Sequence, residues 1–179
     1  MGDYDTSSRK KRYRAIVGLT VFTVLLAGFL IPERPVIPVL NADSNDWHPN
    51  TFWYEPWGTS GVHKGMDIFA PKDTHVLAST AMLRLYTGHV GKGGLVVLAL
   101  GPGWKLHYFA HLSSIEETGL FLSTGDVLGR VGDTGNAMGK QPHLHYAIVS
   151  LLPRPWLIDG STQGYKKMFY LDPIEYLSN

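Results

Sequence analysis

The first clear pattern along the chain is one uninterrupted apolar run behind a basic segment. Residues 15–32 read AIVGLTVFTVLLAGFLIP, 18 residues without a charge, whereas residues 1–14 hold five basic and two acidic residues. A helix of that length is about 27 Å long, close to the roughly 30 Å of a bilayer's hydrocarbon core. Because basic flanks stay in the cytoplasm, the pattern predicts a cytoplasmic tail over 1–14 and a transmembrane signal anchor over 15–32.

A cleaved signal peptide has the same basic and apolar regions, so it is the alternative interpretation of this segment. The chain around Ala27 and Ala42 offers no clear small-x-small cleavage site, which favours the anchor. The predicted location is therefore the cytoplasmic (inner) membrane, with a single pass and the N-terminus in the cytoplasm. The following domain is expected in the periplasm or the extracellular space, and the protein is secreted if the segment is cleaved.

Beyond the apolar run, the pattern changes to short apolar segments punctuated by turn residues. Prolines at 32, 35 and 38 predict an extended linker over 33–50, and the remaining residues, 51–179, suffice for one domain. Strands are predicted at 94–100, 106–112, 126–131 and 143–149, with a hairpin turn at 101–104 and helical turns at 113–118 and 173–177. Short strands separated by glycine are typical of an all-β, antiparallel sandwich or barrel-like domain.

Composition narrows the chemistry of this domain. The chain has no Cys, which excludes disulfides, a thiolate nucleophile and a Cys-ligated metal. A net charge of +1 gives no nucleic-acid footprint, and 44% hydrophobic residues with 12% aromatics exclude a disordered chain. Any metal site must therefore use His, Asp or Glu, and the chain contains 8 His.

Histidine and aspartate recur at spacings that suit a metal site. His63 and Asp67 lie four residues apart, and His143 and His145 lie two apart in a predicted strand, where they share one face. A catalytic zinc ion has three protein ligands and one water. His63, Asp67 and His145 would supply that set, and the remaining His can orient the water or stabilise an oxyanion.

Ordered motifs around these residues resemble those of the lysostaphin/LytM-type zinc metallopeptidases. They are GVHKGMDI at 61–68, YFAHL at 108–112, the glycine-rich GRVGDTGNAMG at 129–139, HLH at 143–145 and a tail at 172–177. The resemblance covers roughly residues 58–150 and the tail. It implies a β-rich metallopeptidase domain with an open groove and one Zn²⁺ per chain.

The resemblance also implies a role for each site residue. His63, Asp67 and His145 correspond to the metal ligands, and His143 and His111 to the catalytic pair, of which either can be the base. The implied activity is hydrolysis of peptide cross-links or stems of peptidoglycan. The apolar run separately predicts contact with the lipid bilayer through residues 15–32, and the even charge balance predicts no nucleic-acid partner. A regulatory protein partner is left unidentified.

Two other functions stay open at this point. One is a catalytically silent relative that binds murein or activates another cell-wall hydrolase; such regulators typically lose ligands, whereas this chain keeps all three. The other is a zinc peptidase that cleaves a secreted protein, because a fold does not choose its substrate.

Several residues depart from the family pattern or lack a role in it. Ala147 stands where many members carry an acidic residue, which predicts altered hydrogen bonding around the metal but no loss of it. His107 shares a face with His111 on an ideal strand, yet a partly exposed position without a role is the favoured interpretation. For Trp53, Tyr54 and Trp57, core packing is favoured over a substrate platform.

Overall fold

An N-terminal helix leads into the domain in the computed structural model, which describes residues 3–178. Helix α1 spans Asp3–Leu30 and is the one element of the described chain that is long and apolar enough, over Ser8–Leu30, to cross a membrane by length and composition. It includes the basic segment, since Lys and Arg are good helix formers. It ends just before Pro32, which disfavours a helical residue at the preceding position.

Two antiparallel sheets form the domain. In chain order the strands are β1 (Met66–Phe69), β2 (His75–Leu77), β3 (Met82–Val90), β4 (Gly94–Gly101), β5 (Lys105–Leu112), β6 (Ser114–Ile115), β7 (Phe121–Leu122), β8 (Val127–Arg130), β9 (His143–Ser150) and β10 (Tyr170–Leu171), followed by the short helix α2 (Pro173–Leu177). The larger sheet has the order β1-β9-β5-β4-β3-β7, with β10 also pairing with β9. The smaller sheet has the order β2-β8-β6.

The core is built from the strand faces that turn away from solvent. Along β9, Leu144, Tyr146 and Ile148 are fully buried, and the alternate residues of the strand point to the other face. Side chains from the smaller sheet, such as Val76 and Leu128, join the same hydrophobic cluster. The side of β9 that carries His143 and His145 is therefore left free to form a surface.

The predicted all-β, antiparallel class is confirmed, and so are the four predicted strands, the 101–104 hairpin and the helical turn at 173–177. The helical turn predicted at 113–118 is wrong, because Ser114 and Ile115 pair with Arg130 and Gly129 of β8. A side chain at Gly129 would meet the Ser114 carbonyl oxygen at 2.6 Å, so the glycine allows this pairing. Tertiary pairing overrides the local helical preference of this stretch.

Segment 33–50 contains no helix, but only its proline-rich first part is extended, since residues 40–50 form turns and bends, and the segment packs onto the domain. Val39 is 2% exposed within the core and bridges to Val76. The N–H of Leu40 donates to the His75 carbonyl, and the N–H of Leu77 donates to the Pro38 carbonyl, each at a distance of 3.0 Å. The segment before residue 51 is therefore part of the packed structure. The domain start at residue 51 stays a prediction.

Candidate metal and catalytic site

Three adjacent strands and one loop position the side chains of the candidate site. Asp67 of β1 pairs directly with His145 of β9, and His145 pairs on its other side with Ala110 of β5. His63 lies in the loop that enters β1, four residues before Asp67. Because Met66 and Ile68 are fully buried, β1 is held with Asp67 on its opposite face, towards His145.

Two imidazole nitrogens and one carboxylate oxygen converge at this point. His63 Nε2 lies 3.1 Å from Asp67 Oδ1 and 3.1 Å from His145 Nδ1, and His145 Nδ1 lies 2.8 Å from Asp67 Oδ1. Ligand bonds of about 2.0–2.2 Å in a tetrahedral site separate ligand atoms by roughly 3.3–3.5 Å. The triangle therefore needs an expansion of only a few tenths of an ångström, and two His with one carboxylate is a donor set of catalytic zinc sites.

The neighbouring groups set the protonation of these side chains so that they can bind a cation. His63 Nδ1 lies 2.9 Å from the Thr51 carbonyl oxygen, which can only accept, so Nδ1 carries the proton and Nε2 keeps its lone pair. Burial alone would raise the pKa of Asp67, but the adjacent rings of His145 and His63 hold it well below its ordinary value. Asp67 is therefore ionised, which a metal ligand requires.

His111 and His143 lie beside the triangle and are oriented in the same way. His143 Nδ1 donates to the Gln141 carbonyl, and His111 Nδ1 donates to the Thr134 carbonyl, each at a distance of 2.8 Å. Their ring centroids are 5.0 Å apart, edge to face. In both residues Nε2 keeps its lone pair, because the carbonyls fix the proton on Nδ1. The two rings thus present two proton acceptors next to the candidate metal site.

Burial keeps one of these rings neutral. Desolvation, together with the nearby His145 and His143, lowers the pKa of His111 to about 4, although the hydrogen bond that its Nδ1–H donates to the Thr134 carbonyl raises it. A neutral imidazole at neutral pH can accept a proton, as a general base must.

A groove of about 610 Å³ opens above all five residues. Trp57 forms part of its wall and stacks on the His63 ring, with centroids 4.1 Å apart and 24° between the planes. Tyr108 lines it from β5, and Lys64, Lys92 and Lys140 add positive charge around it. A ligand bound in this groove would lie over the His and Asp side chains.

The structure brings together all five predicted site residues: His63, Asp67, His111, His143 and His145. It leaves His107 out, and the expectation of a partly exposed His107 is wrong, because the residue is fully buried. On β5, Tyr108 and Ala110 face the groove, while His107 faces the core. His111 has a φ of 65°, which breaks the strand alternation and turns its side chain to the groove side.

Sequence reasoning missed the groups that orient these histidines. Thr51, Thr134 and Gln141 act through backbone carbonyls, whose direction no residue type reveals. Trp57 was expected in the core, yet it is 37% exposed and lines the groove. Its side chain lies beside the first ligand of the GVHKGMDI motif, and that proximity in sequence was the available signal.

Comparisons with known proteins agree with this architecture. Residues 61–153, just over half of the chain, match Peptidase family M23. Over 85 residues the chain is 35% identical to the DD-carboxypeptidase/endopeptidase Mpg of Neisseria meningitidis and to that of Neisseria gonorrhoeae. This match covers 48% of the chain and 19% of each relative, so the chain spans about a fifth of the length of these proteins.

Solved structures show the same fold. The catalytic domain of the antimicrobial peptidase lysostaphin from Staphylococcus simulans superposes with a TM-score of 0.59 at 23% identity, over 75% of this chain and 95% of that one. A lytM protein from Ruminococcus gnavus gives a TM-score of 0.61 at 23% identity, over 96% of this chain and 70% of that one. The fold is that of the lysostaphin/LytM-type peptidases, and the chain belongs to peptidase family M23.

Proposed function

We propose that the protein is a membrane-anchored, zinc-dependent endopeptidase that hydrolyses peptide bonds in peptidoglycan. The observation that carries this proposal is the convergence of His63, Asp67 and His145 within 2.8–3.1 Å of one another on the floor of a groove. One Zn²⁺ per chain would be held by these three residues. Zinc supplies a water of lowered pKa and a Lewis acid for the scissile carbonyl.

His143 and His111 would handle the protons of the reaction. Nε2 of either ring, free because Nδ1 donates to a backbone carbonyl, can take the proton of the attacking water. Once protonated, the same Nε2–H can donate to the developing oxyanion and then transfer its proton to the leaving amine. The two carbonyls of Thr134 and Gln141 hold the rings in place through these steps.

The substrate and the location follow from two further observations. The Mpg relatives are named for DD-carboxypeptidase and endopeptidase activity, which favours a bond of that class in peptidoglycan over a glycyl bridge. The exposed apolar helix Ser8–Leu30, with its basic flank, supports a single-pass anchor in the cytoplasmic membrane and a domain outside the cytoplasm. Peptidoglycan lies on that side of the membrane.

The test uses the full chain in detergent on purified peptidoglycan, with released fragments identified by mass spectrometry. We expect defined muropeptides from the wild type and none after a chelator, with recovery on adding Zn²⁺. The mass of the fragments names the bond. His145→Ala should lose both bound zinc and release.

His89→Ala is the matched control, because His89 is an exposed histidine of β3. It should keep the zinc content and the activity of the wild type. If the wild type binds zinc but releases nothing from several kinds of peptidoglycan, the peptidoglycan substrate is wrong. If His145→Ala keeps its full zinc content, the ligand assignment is wrong.

A further inference from the structure

The turn between β4 and β5 touches the end of α1. Trp104 Nε1 donates to the Leu25 carbonyl at a distance of 2.9 Å. A Cβ at Gly28 would overlap the indole ring, so this glycine is what allows the contact. Leu25 and Gly28 lie seven and four residues before Pro32, where the uncharged run ends, which is about 10 and 6 Å along a helix. If α1 crosses the membrane, the indole enters the apolar layer from the bilayer interface, where Trp is enriched.

Charged groups begin at the same level on the helix and on the domain. Glu33 is the first charged residue after the apolar run, and its carboxylate pairs with the ammonium group of Lys105. Lys105 directly follows Trp104 in the chain. Both side chains are largely shielded, at 21% and 13% exposure, so this ion pair fixes the domain against the end of the helix. The contact of Trp104 with α1 is thus part of a defined arrangement.

Exposed apolar side chains gather at this end of the sheet. The N–H of Leu151 donates to the Trp104 carbonyl over 2.9 Å, and Leu151 is 48% exposed. The loop that continues from it carries Trp156, which is 76% exposed, and the adjoining Leu157 and Ile158, at 38% and 48%. Single exposed apolar side chains are common, but a group of them at one end of a domain marks an interaction or membrane site.

The other edge of the same sheet carries a second exposed pair. Phe121 of β7 is 79% exposed and Leu120 is 60% exposed. Phe121 pairs with Leu83, and Leu83 pairs with Leu100, one residue from the end of β4. The pairing register therefore places Phe121 at the level of the β4–β5 turn. We call the set of Trp104, Leu120, Phe121, Leu151 and residues 156–158 the apolar rim.

The apolar rim lies at the opposite end of the sheet from the groove. Lys105 pairs with Ser150 at the rim end, and Ala110 pairs with His145 at the site. Five residues of strand separate the two levels, a distance of about 17 Å. A surface that covers the rim leaves the groove open.

We propose that the apolar rim docks into the headgroup region of the bilayer leaflet at which α1 ends. The occupant is the lipid surface, because the helix contact places Trp104 at that level. The pairing register places Phe121, and a hydrogen bond places Leu151, at the same end of the sheet, and residues 156–158 follow in the loop from Leu151. The domain then lies against the membrane, with its groove held about 17 Å above the rim. This proposal rests on the membrane anchoring proposed above and adds a fixed orientation to it.

The experiment uses the full chain in phosphatidylcholine liposomes in which part of the lipid carries brominated acyl chains, which quench nearby Trp emission. Trp104→Phe and Trp156→Phe should each lose quenching, whereas Trp57→Phe, at the groove, should not. In the doubly substituted Trp104→Phe/Trp156→Phe chain, Phe121→Trp should restore quenching. Met138→Trp is the matched control, because Met138 is 78% exposed but neighbours Ala137, which lines the groove.

Each outcome decides between the proposals. Stronger quenching of Phe121→Trp than of Met138→Trp supports docking. Equal quenching of the two, in chains that float with the liposomes, overturns docking and leaves the anchor intact. Failure to float overturns both the anchor and the docking. The zinc-dependent release of muropeptides is measured separately, so a failure of the proposed catalysis does not alter this readout.

Discussion

At the scale of residues, the site consists of two groups of histidines that differ in their partners. His63 and His145 share the Asp67 carboxylate, with contacts of 3.1 and 2.8 Å. His111 and His143 also donate Nδ1–H to backbone carbonyls, as His63 does, but His143 Nε2 lies 3.9 Å from the Asp67 carboxylate. A carboxylate shared by two imidazoles suits a metal cation, whereas an imidazole that a carbonyl holds beside them suits proton transfer. These contacts support the proposed division of roles.

This division predicts different losses for the two groups. His143→Ala and His111→Ala should keep bound zinc and lose turnover by about 10²–10⁴-fold, because each removes one proton-transfer group. Metal analysis and muropeptide release, both on the purified full chain, separate the two properties. Loss of zinc from His143→Ala, to the level of His145→Ala, would contradict the assigned roles.

His107 has a structural role that predicts a pH dependence of stability. Burial, together with the charge of Lys105, lowers the pKa of His107 to about 3. Its Nδ1 lies 2.7 Å from the Tyr146 hydroxyl and 3.3 Å from that of Ser79, while the Tyr176 ring packs against it. The folded chain therefore holds this ring neutral, whereas the unfolded chain protonates it below pH of about 6.5.

The contribution of His107 to stability is thus complete above pH of about 6.5 and is lost as the pH falls towards 3. Its part of the slope approaches about 1.4 kcal/mol per pH unit in this window. Gln cannot titrate, so His107→Gln should reduce the slope of unfolding free energy against pH by the contribution of one bound proton. Denaturant unfolding in detergent at several pH values measures this slope. His89→Gln should keep the wild-type slope. The same slope in His107→Gln and wild type would contradict this role.

At the scale of elements, the strands that hold the site follow patterns visible in the sequence, and the elements that orient it do not. β9 alternates buried Leu144 and Tyr146 with His143 and His145, so its face was predictable. β3 is largely exposed in its second half and lacks such an alternation, so it was missed. The turn of His111 towards the groove depends on its φ of 65°, which no periodicity predicts.

The contact between the glycine-rich loop and β5 predicts a role for one glycine. Gly132 bridges to His143, and a Cβ there would lie 2.6 Å from the His111 carbonyl oxygen and would also overlap the Ser113 N–H. Because both neighbours are backbone, Gly132→Ala must push β5 and β9 apart. We expect a lower melting temperature together with a loss of turnover, since the spacing of His111 and His143 changes.

Gly160→Ala is the control for this substitution, because no atom lies within 4 Å of the position of its Cβ. Its melting temperature and turnover should match those of the wild type. A Gly132→Ala chain as active and as stable as Gly160→Ala would show that the loop does not set the distance between the two rings.

At the scale of the whole molecule, the apolar helix and the candidate metal site lie at opposite ends of the larger sheet. The sequence predicted the two ends separately, from an uncharged run and from His and Asp motifs. It did not predict how they connect, because prolines favour an extended chain whether that chain is free or packed. The packing of 33–50 depends on pairing with β2, a contact between segments far apart in sequence.

Two valines of this segment test whether it belongs to the folded domain. Val39 is 2% exposed and Val36 is 38% exposed, so the same change to Ala removes buried methyl groups at one position and exposed ones at the other. Val39→Ala should lower the unfolding free energy by about 1–3 kcal/mol, from lost burial and the cavity left behind. Val36→Ala should change it by less than about 0.5 kcal/mol. Denaturant unfolding of both full chains in detergent measures the difference. Equal small effects would mean that 33–50 is a detached tether, whereas the expected contrast means that 33–50 is part of the folded domain and joins α1 to it without a free spacer.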